Sequence, residues 1–204
     1  MSGVSVRVAI DFASPAAYLA IEPTRALESR LGRSFEWLPT SVPPLQKHDP
    51  ATPGDERGAR HRRIRAEYVA SDLRRYAEAR GIELGDVHRA PDTATAAFGL
   101  LWLRRRAPEL ASEYTTRVFD RIWRENAAAD VRFVEKALGR EAADFADYTA
   151  SEGPGDLAAV RAELEALAVW NVPAFLVGDE LFIGRQHLPM VEWLATGQTT
   201  APPI

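Results

Sequence analysis

The sequence contains no cysteine. That excludes disulfide frameworks, thiolate metal sites and cysteine nucleophiles, so any sulfur chemistry must use sulfur that arrives from outside. Lysine is nearly absent: of 25 basic residues only Lys47 and Lys136 are lysine, and neither lies in a context that points to a Schiff base. Long apolar runs are missing too. The longest, Ala96–Leu103, is far short of the roughly 20 residues that a membrane-spanning helix needs. No basic start leads into an apolar stretch and a cleavage site, so a cytoplasmic protein without a membrane partner is the simplest expectation. A net charge of −4 gives no global support to nucleic-acid binding. His48, His61, His88 and His187 show no metal-ligand spacing, and no metal is expected. A phosphate-binding glycine loop and a Ser/His/Asp signature are both absent.

What is present concentrates at Val6–Leu19. Val6, Val8, Ile10 and Phe12 alternate as a half-buried strand does. Ser14 then offers an N-cap oxygen, and Pro15 occupies the first helical position, where its missing N–H is harmless. A helix over 15–30 follows. A strand running directly into a helix N-terminus makes a small electropositive notch that stabilises an anion or a thiolate. Ser14 is the first hydroxyl a ligand meets there. On its own it reads first as a plain N-cap before Pro15.

With 204 residues the chain can bury one good core. Residues 34–38 read as a second strand ended by Pro39, and 40–58 as a loop rich in Pro and Gly. From Arg57 to Ser151 every segment has helical periodicity. Over 57–80, Ile64, Tyr68, Leu73 and Tyr76 fall near one face, with Gly81 as C-cap. The cluster Arg60, Arg62, Arg63 and Arg65 is expected to be a solvated face, partly neutralised by Glu67, Asp72 and Glu78. Trp and Phe stripes in the later helices, and Trp37 and Trp170, are expected in the core. Gly153-Pro154-Gly155 interrupts before a helix over 156–168. Strand 172–177, a Gly178-Asp179 turn, strand 180–183 and a helix over 187–196 complete the chain. A βαβ half and an αββα half sharing one sheet make an α/β, thioredoxin-like fold with an all-helical insertion. The expected domains are 1–56 with 152–204, and 57–151 for the insertion.

Three separated stretches carry a resemblance. Asp11-Phe12-Ala13-Ser14-Pro15-Ala16-Ala17-Tyr18-Leu19, Tyr68-x-x-x-Asp72-Leu73-x-Arg75, and Val172-Pro173-Ala174-Phe175 with Glu180-Leu181-Phe182-Ile183-Gly184 occur in order along the chain. Together they resemble the 2-hydroxychromene-2-carboxylate isomerases and kappa-class glutathione transferases, which have a DsbA-like thioredoxin fold. The resemblance implies that Ser14 stands where a redox cysteine stands in thioredoxin-like proteins, with Ala17 in place of the second. It implies a small-molecule substrate, glutathione or another low-molecular-weight thiol as cofactor, and a Ser14 hydroxyl donating to the bound sulfur. The thiolate then adds to a conjugated carbonyl compound, an aromatic-degradation intermediate, which rotates about the saturated bond before the thiolate leaves.

The resemblance also implies that Pro173 is cis, although only ~5–6% of X–Pro bonds are cis in folded proteins. The Val172 backbone would then pair with the thiol's peptide backbone as an added strand does. Gly184, Arg185 and Gln186 would hold the γ-glutamyl end, with Gln186 where the family has an acid that pairs with the ligand's amino group. The family's loop asparagine has no counterpart. Its lysine aligns with Arg65, which would hold either the thiol or a substrate carboxylate. A homodimer is an expectation from the family alone. A kappa-type transferase and a non-catalytic thioredoxin-fold binding protein remain the alternative functions.

Overall fold

The computed structural model describes residues 4–47 and 57–203. Its sheet has four strands: β1 (Val6–Ile10), β2 (Glu36–Pro39), β3 (Ala174–Val177) and β4 (Glu180–Ile183), in the order β2-β1-β3-β4. β1 and β2 run parallel, with Val8 beside Trp37, joined through helix α1 (Pro15–Leu31). A parallel pair requires such a crossover, and a helix supplies its length. β3 pairs antiparallel to both β1 and β4, and Gly178, at φ 60°, makes the hairpin turn. The arrangement is the thioredoxin-like one that the pattern of elements predicts.

The residues between β2 and β3 form helices α2 (Arg57–Ala79), α3 (Ala94–Arg106), α4 (Ala111–Phe119), α5 (Val131–Leu138), α6 (Phe145–Ala150) and α7 (Gly153–Ala166). A short 3₁₀ turn (Arg185–His187) leads into α8 (Leu188–Ala195). One apolar core crosses from the sheet to the helices, joining Val8, Ile10, Trp37 and Phe175 to Leu100, Tyr114, Phe119 and Trp123.

Four local expectations change. The first strand stops at Ile10, and Phe12 is buried in the turn beyond it. β2 starts at Glu36 and takes in Pro39 as its last residue, opposite Ile10, which is tolerable because β2 is an edge strand and a missing N–H there faces no partner. Gly153-Pro154-Gly155 opens α7 instead of interrupting the chain, Pro154 sitting in the first turn. On α2 the buried side is Ala70, Leu73 and Ala77, whereas Ile64, Tyr68 and Tyr76 are exposed. Two alanines let α2 approach closely, and with Leu73 they pack on Leu19 and Val87.

Two polar contacts hold the frame. Glu28, buried on α1, accepts from Phe35 N–H (2.7 Å) and Trp37 Nε1 (3.1 Å) through Oε1, and from Ser112 Oγ (2.7 Å) through Oε2. It ties α1 to the start of β2 and to α4. Pro23 lies within α1, and its missing N–H leaves the Leu19 carbonyl without a helical donor. Arg80 supplies one: Nη1 donates to Leu19 O at 2.6 Å, while Nη2 bonds Glu22. The break in α1 is thereby repaired from the end of α2.

Both contacts lead to measurable outcomes in chemical denaturation. Glu28→Ala strands three donors and lowers stability by about 3 kcal/mol or more, whereas Glu28→Gln keeps an acceptor for two of them and loses about 1 kcal/mol. Arg80→Met is destabilising in the native background. Its effect shrinks by about 1 kcal/mol in Pro23→Ala, where residue 23 regains its own N–H for Leu19. Equal effects in the two backgrounds contradict the repair.

Candidate active site

The turn from β1 into α1 is pinned from three sides. Asp11 is buried, its Oδ1 accepting from Ala13 N–H (2.8 Å) and its Oδ2 from Val42 N–H (2.9 Å). Burial pushes its carboxyl pKa up, opposed by those two backbone donors and by Arg161. The Asp11 carbonyl accepts from Ser14 N–H at 2.9 Å. Trp123 Nε1 donates to the Phe12 carbonyl at 2.9 Å. Trp123 sits in a π-helical turn, Asp120–Arg124, marked by Glu125 N–H donating five residues back to Asp120 (2.9 Å). Arg89 lies over the indole at 4.3 Å and donates to the Ile122 carbonyl and to Asn126 Oδ1 (2.7 Å).

On this rigid turn Ser14 caps α1, its Oγ accepting from Ala17 N–H at 3.3 Å. The residue is 9% exposed, and the hydroxyl is recessed in the turn. Among the described residues its proton has no acceptor, and the Ala16 N–H has no partner. Both face the positive end of a 17-residue helix. The notch therefore has an O–H, an amide and a helix dipole available to one anion.

Across the sheet, the Val172–Pro173 bond is cis, as the resemblance implies. Ala174 pairs with Ala9, so continuing that register by two residues places Val172 beside Asp11, at the start of the Ser14 turn. The Pro173 carbonyl accepts from Gly184 N–H at 2.8 Å, and Val172 N–H donates to the side chain of Asn171 at 2.9 Å. Gly184 takes φ 105°, and a Cβ there would run into the Gln186 amide, so only glycine fits. That amide donates to the Ile183 carbonyl at 3.2 Å. Arg185 stacks on Tyr76 at 3.7 Å and pairs with Asp72 at 3.4 Å.

Arg185 and Gln186 line a cleft of about 830 Å³ with Leu19, Pro23, Tyr68 and Asp72. Ser14, Val172, Pro173, Gly184 and Arg65 are not among its lining residues. Arg65 is exposed on α2. Tyr68, Asp72, Tyr76 and Arg80, all in the cleft wall, recur every four residues. That spacing marks one stripe of a helix and was readable from the sequence, where Tyr68 and Tyr76 were grouped instead on one face with Ile64 and Leu73. Trp170, expected in the core, is 71% exposed two residues before Val172. It lies in the connection between α7 and β3. No cluster of three or more potential metal ligands occurs among the described residues, and His48 lies outside them.

The DSBA-like thioredoxin domain family matches the chain over residues 5–194. A 2-hydroxychromene-2-carboxylate isomerase of Pseudomonas putida is 26% identical over 188 residues, covering 89% of each chain. A solved structure of a 2-hydroxychromene-2-carboxylate isomerase superposes with a TM-score of 0.71 at 22% identity, over 95% of this chain and 94% of that one. The cytosolic disulfide reductase DsbM from Pseudomonas aeruginosa, solved with GSH, gives 0.64 at 16% identity over 96% and 98%. Among the described residues no helix is long and apolar enough to cross a membrane.

The pinning of the Ser14 turn is open to direct measurement. Trp123→Phe keeps most of the ring volume but strands the Phe12 carbonyl, lowering stability by about 1–2 kcal/mol. Amide hydrogen exchange at Ser14 accelerates with it. Unchanged exchange there contradicts the role given to the indole.

Proposed function

The chain belongs to the DSBA-like thioredoxin domain family, and from that premise we propose that it is an isomerase of the 2-hydroxychromene-2-carboxylate isomerase type. It depends on glutathione or another low-molecular-weight thiol and acts on a conjugated keto acid of aromatic degradation. One observation carries this reading. In a chain without cysteine, the N-cap of the helix that follows β1 is a serine whose lone pair is engaged by Ala17 while, among the described residues, its proton has no acceptor. The relative in Pseudomonas putida supports the reaction class.

The residues present fit a thiol ligand. When bound, the thiol supplies a nucleophile that adds reversibly to the conjugated acceptor and leaves unchanged after rotation about the saturated bond. The protein's part is electrostatic. Ser14 donates its hydroxyl proton in a hydrogen bond to the sulfur, which favours the thiolate and lowers the thiol pKa. The Ala16 amide and the α1 dipole add to this at the same point. Asp11 and Trp123 keep Ser14 in place through the backbone. Val172 N–H is the donor for a peptide carbonyl of the ligand, which takes over from the exposed Asn171 side chain. With no thiol in the chain, the protein cannot cycle a disulfide of its own.

Ser14→Ala reduces turnover by on the order of 100-fold, the usual effect of removing one donor aimed at developing negative charge. It lowers stability by only about 1 kcal/mol, since one cap is lost. Free thiol stays constant during turnover; stoichiometric consumption replaces the isomerase with a kappa-type transferase. A Ser14→Ala enzyme as fast as the native one removes the hydroxyl from the mechanism.

A further inference from the structure

A second cavity, of about 450 Å³, is walled by α1, the end of α2, α4 and the π turn. Glu22, Ala26 and Arg80 line both it and the larger cleft, so they form the boundary between the two. Ser14, Val172 and Arg185 are not among its lining residues. Two of its arginines are left without acids. Arg25 has Glu22 and Glu28 one turn away on α1, but Glu22 bonds Arg80, and Glu28 is engaged by Phe35, Trp37 and Ser112. Among the described residues its polar contact is instead a hydroxyl, Nη1 donating to Thr116 Oγ1 at 3.2 Å. Arg124 ends the π turn, with Asp120 four residues before it and Glu125 beside it. Asp120 Oδ1 accepts from the Tyr18 hydroxyl at 2.9 Å, and Glu125 pairs with Arg121 at 2.8 Å. Arg124 therefore has no acid partner among the described residues. By contrast Arg30, Arg104, Arg105 and Arg117 all pair with carboxylates. Burial, followed by the Asp120 bond, pushes the Tyr18 pKa up to about 12, while the charges of Arg124 and Arg80 oppose the rise. Those two guanidinia thus lie within electrostatic reach of the Tyr18 hydroxyl.

We propose that this cavity is a binding site for a small apolar monocarboxylate, with Arg25 and Arg124 on its carboxylate and Ile21, Ala26 and Ile82 against its body. Guanidinium groups match the planar geometry of a carboxylate, and both arginines keep donors uncommitted. The apolar lining and the volume suit a small organic molecule better than a bare inorganic ion. Charge sets the valence. Three guanidinia, Arg25, Arg80 and Arg124, stand against the two carboxylates Glu22 and Asp120, which leaves one positive charge for one negative ligand. A phosphate dianion brings its second charge against Glu22 and Asp120. The Tyr18 ring, stacked on Phe119 at 5.8 Å and tied to Asp120, gives the cavity a fixed wall. The proposal does not depend on the thiol reading of Ser14, because it uses none of the groups at that turn.

The test titrates benzoate, and benzamide as its uncharged match in shape, into the ¹⁵N-labelled native protein while backbone amide shifts are followed. Benzoate gives saturable shifts at Tyr18, Arg25, Thr116 and Arg124. Benzamide binds about tenfold more weakly or worse, the ordinary size of one charge-assisted contact. Inorganic phosphate also binds more weakly than benzoate. Arg25→Gln and Arg124→Gln, each checked for an unchanged melting curve, weaken benzoate about tenfold apiece. Arg117→Gln, also on α4 but outside the lining, stays within about twofold of native. Equal binding of benzoate and benzamide, phosphate as the tighter ligand, shifts centred on Ser14 instead, or no saturable shift overturns the assignment. So does full affinity in both arginine variants. The benzoate–benzamide comparison needs no substitution, so it decides the matter even where a variant fails to fold.

Discussion

Everything at the candidate site depends on how the Ser14 hydroxyl divides its hydrogen bonds. Its oxygen accepts from Ala17, which closes the first turn of α1, and its proton is left over. A hydroxyl can do both because it carries lone pairs and a proton together. The same residue therefore serves helix and ligand without conflict. The division holds only while the backbone of residues 11–14 stays fixed; the Asp11 carboxylate and the Trp123 indole N–H act on that short stretch, and the Arg89 guanidinium lies over the indole. Those groups come from β1, the π turn and the segment before α3, so the helices between β2 and β3 contribute directly to the geometry of the sheet's active end.

α1 links the two halves of the site. Its N-terminus carries the Ser14 hydroxyl and the Ala16 amide, and its second and third turns form one wall of the cleft. Pro23 interrupts its hydrogen bonding midway, and Arg80 bridges the gap while lining the cleft. The repair of α1 and the wall of the cleft thus share one guanidinium.

Much of this was legible in the sequence where local chemistry decides structure. The Ser14-Pro15 pair marked the start of α1, Gly178-Asp179 marked the hairpin, and the alternation of elements gave the fold class. Features decided by tertiary contact were harder to read. Ile64, Tyr68 and Tyr76 are apolar at helical spacing, yet α2 docks through Ala70 and Ala77, because close approach of two helices favours small side chains over large ones. Trp170 is large and apolar, but it lies in the connection before β3 and is 71% exposed. The Asp72–Arg185 contact joins residues 113 positions apart, and no periodicity announces it. Gln186 drew attention by its place in a motif, while its amide closes its own turn.

The absence of cysteine makes the central claim directly measurable, because thiolate absorbance in the ultraviolet can come only from the ligand. Glutathione bound to the native protein should titrate at least about one unit below free glutathione, the shift expected when a thiolate gains a hydroxyl donor at a helix N-terminus. A bound thiol that titrates like the free one contradicts the account.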